Sequence, residues 1–168
     1  MIEKDGVQLK TGFVGTPYVL HVLSDLGYAD LAYQLLLRRE YPSWLYPVTK
    51  GATTIWEHWD NIRPDGTMWD TEMNSFNHYA YGSVADWLYG VCAGINPGAA
   101  GYETVEFRPV ATDRLDYAVA SLETDYGTVS SRWWHEDGAV KYELVTPRPA
   151  IAVINGQTHH LDAGCYRF

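Results

Sequence analysis

The chain is short of cysteine, of basic residues, of long apolar runs and of low-complexity tracts, and each shortage removes a class of protein. Only two cysteines, Cys92 and Cys165, occur in 168 residues. A pair so far apart is no disulfide framework and reads as two free thiols, as a reducing compartment would keep them. Twelve Lys and Arg stand against 21 Asp and Glu, for a formal charge of −9. No basic run interrupts that balance, which argues against nucleic acid as a partner. No apolar stretch reaches spanning length, and the opening Met1-Ile2-Glu3-Lys4-Asp5-Gly6 lacks the charged and apolar regions of a signal peptide. A membrane partner is therefore not expected.

What is present is aromatic. Hydrophobic residues make up 46% of the chain, with 7 Trp and 13 Tyr, enough to exclude disorder and to bury a core in one ordinary domain or two small ones.

The first half has helical periodicity. Thr16-Pro17 opens a helix, with Thr16 as N-cap and Pro17 at the first helical position. Val19, Val22, Leu23 and Leu26 recur at helical spacing, and Gly27 falls where a left-handed C-cap belongs. Asp30 starts a second helix with Leu31, Leu35 and Leu36 as its stripe and Arg38-Arg39 in its last turn, so the pair predicts a helical hairpin. Tyr41-Pro42-Ser43-Trp44-Leu45-Tyr46-Pro47 then breaks the pattern as an aromatic loop, either a lid over the helix ends or a wall of a cleft. Arg63-Pro64-Asp65-Gly66 is a turn signature. From Asn74-Ser75-Phe76 onward, Phe76, Tyr79, Ala80, Ser83, Val84, Trp87, Leu88 and Val91 form a further helical stripe that ends at Gly94.

Beyond Pro97-Gly98 the period becomes two. Residues 104–107, 117–123, 128–133, 140–145 and 150–154 alternate, and Asp137-Gly138 and Asn155-Gly156 are signals for tight hairpins. The expected architecture is a two-part α+β chain: helices over 1–96, then an antiparallel β-sandwich of six or seven short strands over 97–168. The helical stripes are too wide for a small hairpin. They suit either a closed four-helix bundle or part of a larger helical ring.

Gly51-Ala52-Thr53-Thr54-Ile55-Trp56-Glu57-His58-Trp59-Asp60 carries the densest chemistry. Glu57 lies between an indole and an imidazole, and a second indole and carboxylate follow within three residues. Indole faces pack on the C–H faces of sugars while carboxylates accept from their hydroxyls, so the composition suits a polyhydroxylated ligand. The plain alternative is a buried Trp-rich corner in which Glu57 and Asp60 cap the next element. Thr53 or Thr54 is placed to cap a helix through this stretch.

Three ordered motifs carry a resemblance. Tyr-Pro-Ser-Trp-Leu-Tyr at 41–46, Gly-Ala-Thr-Thr-Ile-Trp-Glu-His-Trp-Asp at 51–60 and Met-Asn-Ser-Phe-Asn-His-Tyr-Ala-Tyr-Gly-Ser-Val-Ala-Asp-Trp-Leu-Tyr at 73–89 resemble the C-terminal third of bacterial α-L-rhamnosidases, as do Gly101-Tyr102 and Phe107-Arg108-Pro109. The resemblance implies part of an (α/α)6 toroid followed by a β-sandwich, and a glycosidase that inverts anomeric configuration. It implies that Glu57 is the general base, that His78 contacts the rhamnose, and that Trp56 and Trp59 are cleft walls. An inverting glycosidase needs two carboxyl groups roughly 6.5–9.5 Å apart, one as acid and one to activate water. The family's general acid lies in an Asp-Glu-Arg and Gly-Asp segment that this sequence does not contain, and the arginine that commonly follows the family's glutamate is His58 here. These 168 residues are thus expected to supply half a catalytic pair, as a fragment inactive by itself.

The expected partner is a rhamnose-containing glycan, with a homodimer formed through exposed helical faces, no cofactor and no metal; the location is left open, the bacterial cytoplasm being only the favoured choice. A competing function is a non-catalytic carbohydrate-binding or interaction module gripping a glycan through Trp44, Trp56, Trp59 and Trp69. A metal site from His58, Asp60 and His78 has only a His-x-Asp spacing behind it and is set aside. His21, His135, His159 and His160 fit surface or strand positions and are given no role.

Overall fold

A computed structural model describes residues 6–168; Met1–Asp5, most of the segment read above for leader features, lies outside them. The chain divides into two compact units, residues 1–85 and 86–168, and each is described by itself.

The first unit begins with the expected hairpin, α1 (Thr16–Asp25) and α2 (Ala29–Leu37). Gly27 at φ +84° ends α1: its amide donates to the Ser24 carbonyl and that of Tyr28 to the Leu23 carbonyl, satisfying carbonyls that the helix leaves open. The start differs from expectation. Gly15 is the N-cap, and the Thr16 hydroxyl is drawn back to the Thr11 carbonyl at 3.0 Å. The buried side of α1 runs through Thr16 and Leu20, whereas Val22 and Leu26 are exposed. With Val14 and Tyr18 they form an apolar row at four-residue spacing on the solvent side. In α2, Ala32, Tyr33, Leu35 and Leu36 are buried and Leu31 only half so; the helix closes at Leu37, and Arg38 is an extended C-cap rather than part of the last turn.

The aromatic loop contains one helical turn that the two prolines had argued against, α3 (Leu45–Thr49). Pro47 sits in its first turn, where a missing N–H costs nothing. Ser43 accepts the Tyr46 amide at 3.0 Å.

No helix forms over 51–60. Gly51 at φ +83° closes α3, and the β-branched run Thr53-Thr54-Ile55 bends on without regular structure. The last helical stretch likewise starts at Ala80 and not near Asn74. It is wound as a 3-10 turn (Ala80–Ser83), then α4 (Val84–Trp87), then a π turn (Leu88–Cys92). Residues 75–78 are unavailable to it because their backbone groups bond to 54–57. Tyr81, Trp87 and Cys92 are its buried residues, while Tyr79 stands exposed.

The second unit has eight strands: β1 (Ile95–Pro97), β2 (Val105–Phe107), β3 (Tyr117–Thr124), β4 (Gly127–Glu136), β5 (Ala139–Thr146), β6 (Ala150–Ile154), β7 (Gln157–Leu161) and β8 (Gly164–Arg167). They form two four-stranded sheets, β1-β2-β6-β7 and β3-β4-β5-β8, in a sandwich-like pair. All neighbours are antiparallel except β2 and β6, which run parallel with Val105 opposite Ala150. Asp137-Gly138 and Asn155-Gly156 all have positive φ and make the two expected two-residue hairpins. Val105, Phe107, Val129, Trp133, Leu144, Ala152 and Ile154 form the core, each at most 3% exposed. Neither Cys92 nor Cys165 is in a disulfide. Among the described residues no helix is long and apolar enough to cross a membrane.

Candidate functional site

The two central motifs are bonded to each other. The Glu57 amide donates to the Ser75 carbonyl at 2.9 Å, the His78 amide donates to the Ile55 carbonyl at 2.9 Å, and the Thr54 hydroxyl bonds the Phe76 carbonyl. Residues 54–57 therefore run against 75–78 and bring Glu57 and His78 into one short ladder. This arrangement turns the Ser75 amide onto Glu57 Oε2 at 3.0 Å. Glu57 is half-buried, and among the described residues Oε1 has no hydrogen-bond partner. One carboxylate oxygen is held while the other carries no bond from the described residues.

Behind Glu57 the chain folds into a turn braced by side chains. His58 Nδ1 lies 2.6 Å from Asp60 Oδ1, and the imidazole stacks on Trp69 with ring centres 4.1 Å apart and planes 8° from parallel. Trp69 is delivered by a small hairpin. The Trp69 amide donates to the Asn61 carbonyl, Ile62 bridges Met68, and the Arg63 amide donates to the Thr67 carbonyl. The predicted Arg63–Gly66 turn is the tip of that hairpin, where Asp65 accepts from both the amide and the hydroxyl of Thr67, which holds its carboxyl below the usual range. Arg63 lies over the Trp69 ring at 5.1 Å and donates to its carbonyl at 2.7 Å.

His78 belongs to a chain of rings. It stacks on Phe13 at 4.8 Å and on Tyr79 at 5.7 Å; Phe13 leans on Tyr81 at 5.1 Å, Tyr81 stacks on Trp59 at 3.7 Å, and Trp59 meets Trp44 edge-on at 5.3 Å. Trp44 Nε1 donates to the Tyr81 carbonyl at 2.9 Å. His78 Nδ1 accepts the Ala80 amide at 3.4 Å, so the proton of the neutral ring sits on Nε2. Burial raises the Tyr81 phenol above its ordinary value, and burial followed by the charge of Asp60 does the same to Tyr41 and Tyr46.

Trp56 and Trp59 are only 5% and 6% exposed. Together with Trp44 and Tyr81 they line a recess of about 50 Å³, well under the ~300 Å³ at which ligand pockets begin. Glu57, His58 and His78 are each half-buried, and none of them lines that recess. Sequence reasoning passed over both Asn61, which is fully buried, and Phe13. The only signal for either was position: Asn61 directly follows the acidic motif, and Phe13 is bracketed by Gly12 and Gly15. A larger groove of about 400 Å³ exists in the second unit, but no residue of the three motifs lines it.

Comparison with known proteins gives this arrangement a class. The model of the bacterial α-L-rhamnosidase six-hairpin glycosidase domain matches residues 1–92, and that of the bacterial α-L-rhamnosidase C-terminal domain matches 94–155. The helical unit is thus of glycosidase type. An α-L-rhamnosidase of Streptomyces avermitilis is 51% identical over 96% of this chain, and one of Formosa agariphila 40% over 92%. The crystal structure of a Streptomyces avermitilis α-L-rhamnosidase in complex with L-rhamnose superposes with a TM-score of 0.92 at 39% identity, covering 99% of this chain. The chain belongs to the bacterial α-L-rhamnosidase family. It spans 16% and 17% of the length of those two curated relatives and 18% of that crystallised chain.

Proposed function

We propose that this chain supplies the general-base half of an inverting α-L-rhamnosidase site, with Glu57 activating water and His78 contacting the sugar. The observation that carries the reading is the ladder between 54–57 and 75–78. It fixes Glu57 through one oxygen to the Ser75 amide and leaves the other for water, and it puts the His78 ring, Nδ1 already occupied, in the same strip. A base that is held but open on one side is what water activation requires. Trp56 and Trp59, nearly covered, brace the strip from behind and offer a ligand only their rims. The substrate class is a terminal α-L-rhamnoside.

The 168 residues contain no Asp-Glu-Arg and Gly-Asp segment, so no carboxyl group is assigned to protonate the leaving oxygen. Two assays test the reading on the full chain: turnover of an aryl α-L-rhamnoside and titration with L-rhamnose. The expected result is saturable L-rhamnose binding without turnover, weakened by His78→Ala. Turnover abolished by Glu57→Gln would show that an acid is present after all, while absence of any L-rhamnose binding would overturn the assignment of the strip. The exposed row Val14, Tyr18, Val22 and Leu26 supports self-association into a dimer; a monomer by light scattering at high concentration would refute that part alone.

A further inference from the structure

We infer that Asn61 is the positioning residue of the Glu57 carboxylate; the inference rests on Glu57 as the functional group. Asn61 is 0% exposed, and both ends of its amide are used on the two backbone segments that meet at Glu57. Oδ1 accepts the His58 amide at 3.1 Å, the peptide immediately after Glu57. Nδ2 donates to the Ser75 carbonyl at 2.7 Å, the same oxygen that accepts the Glu57 amide at 2.9 Å. The other polar backbone group of Ser75, its amide, holds Glu57 Oε2.

The consequence is geometric. Ser75 is the platform for Glu57, accepting from its backbone and donating to its side chain, and Asn61 sets the distance between that platform and the chain leaving Glu57. No regular ladder extends beyond these few bonds, because 58–61 turns away: the Asn61 amide returns to the His58 carbonyl at 3.3 Å. A buried amide bonded at both ends is rigid, and a buried amide cut in half leaves unpaired groups beside the carboxylate. Asparagine fits the position by chemistry. It offers an acceptor oxygen and a donor nitrogen from a single planar group, and an ionised Asp at the same volume only accepts.

That difference makes the test. On the full 168-residue chain, residue-resolved amide hydrogen exchange is compared for wild type, Asn61→Ala and Asn61→Asp. Asn61→Ala is expected to lower protection of the Ser75, Glu57 and His58 amides about tenfold relative to the amides of α2, a factor matching the loss of one or two hydrogen bonds. In Asn61→Asp the His58 amide keeps its protection while those of Ser75 and Glu57 fall. Asn61→Asp, isosteric with the native residue, carries the test where Asn61→Ala does not fold. L-rhamnose affinity should fall about tenfold in both variants. Protection lost evenly across the unit, or unchanged at Ser75 and Glu57, overturns the inference. Failure of wild type to bind L-rhamnose would instead overturn the functional reading and leave the exchange result to decide Asn61.

Discussion

The two units solve the problem of buried backbone polarity in different ways. From residue 95 onward the chain spends its amides and carbonyls on ladders: β3, β4, β5 and β8 pair in continuous register, and so do β6 and β7. Between residues 50 and 79 there is neither helix nor strand beyond one isolated bridge, and side chains take over. Asn61, Thr54, Arg63 and, from just outside, Tyr46 each bond a backbone group of this stretch. A ladder repeats one geometry and tolerates substitution of most of its members. A clipped loop can aim a carboxylate in a direction no ladder provides, but each clip is an individual dependence.

The contrast can be broken from the regular side first. Trp133 is 0% exposed and its Nε1 donates to the Cys92 carbonyl at 2.8 Å. Trp133→Ala should cost about 3–5 kcal/mol, read as a lower denaturant midpoint of the β-sheet circular dichroism signal. Gly94 comes next. Its φ is +75°, and a Cβ there would lie 2.0 Å from the Pro109 nitrogen. Backbone against backbone leaves little room to yield, and Gly94→Ala is expected to cost roughly 2–4 kcal/mol in the same measurement.

Effects in the clipped unit should be smaller in energy and larger in consequence for the site. Trp44→Phe keeps most of the ring contact with Trp59 but removes the donor to the Tyr81 carbonyl, for a loss of about 1–2 kcal/mol. Because Tyr81 connects Phe13 to Trp59, the aromatic NMR resonances of His78 should move as well; no movement would mean that the ring chain does not transmit. The smallest effect is set by pH. Tyr41, Tyr46 and Tyr81 have raised phenol values in the fold, chiefly from burial. Between their ordinary value of about 10 and the folded value, the unfolded chain has already released protons that the folded chain retains. Stability is therefore intact below about pH 10 and falls as pH rises further. Tyr142 contributes in the β unit through burial and Tyr102 through burial and the charge of Asp86, so exchange protection above pH 10 should decline in both units, and more in the one with three such residues.

Much of this was legible in the chain itself where the physics is local. Gly27, Asp137-Gly138 and Asn155-Gly156 end a helix and close two hairpins because left-handed φ is cheap at those residues. Alternation in 128–133 and 140–145 marked β4 and β5 because their inner and outer faces meet different solvents. The motif at 51–60 stood out by composition alone. Other expectations failed where a partner distant in sequence outbid a local preference. Thr53 and Thr54 were read as helix caps, but the Thr54 hydroxyl goes to Phe76, 22 residues on. Val22 and Leu26 had the period of a buried stripe, yet the buried side of α1 passes through Leu20. The stripe at 76–91 was set too early because the backbone of 75–78 was already taken by 54–57.

The residue types determined by themselves that this chain would fold as helices followed by strands, with an acid set among indoles in the rhamnosidase pattern; propensity, turn chemistry and hydrophobic period act over a few residues and need nothing else. Only the tertiary structure decided that Glu57 is held by Ser75, that Asn61 ties both together, and that β2 lies parallel to β6. Those are contacts between residues 14 to 45 positions apart, each with a backbone amide or carbonyl on at least one side, and every residue but proline has the same amide and carbonyl to offer. Which of them meet is settled by packing across the chain, beyond the reach of preferences that act over a few residues.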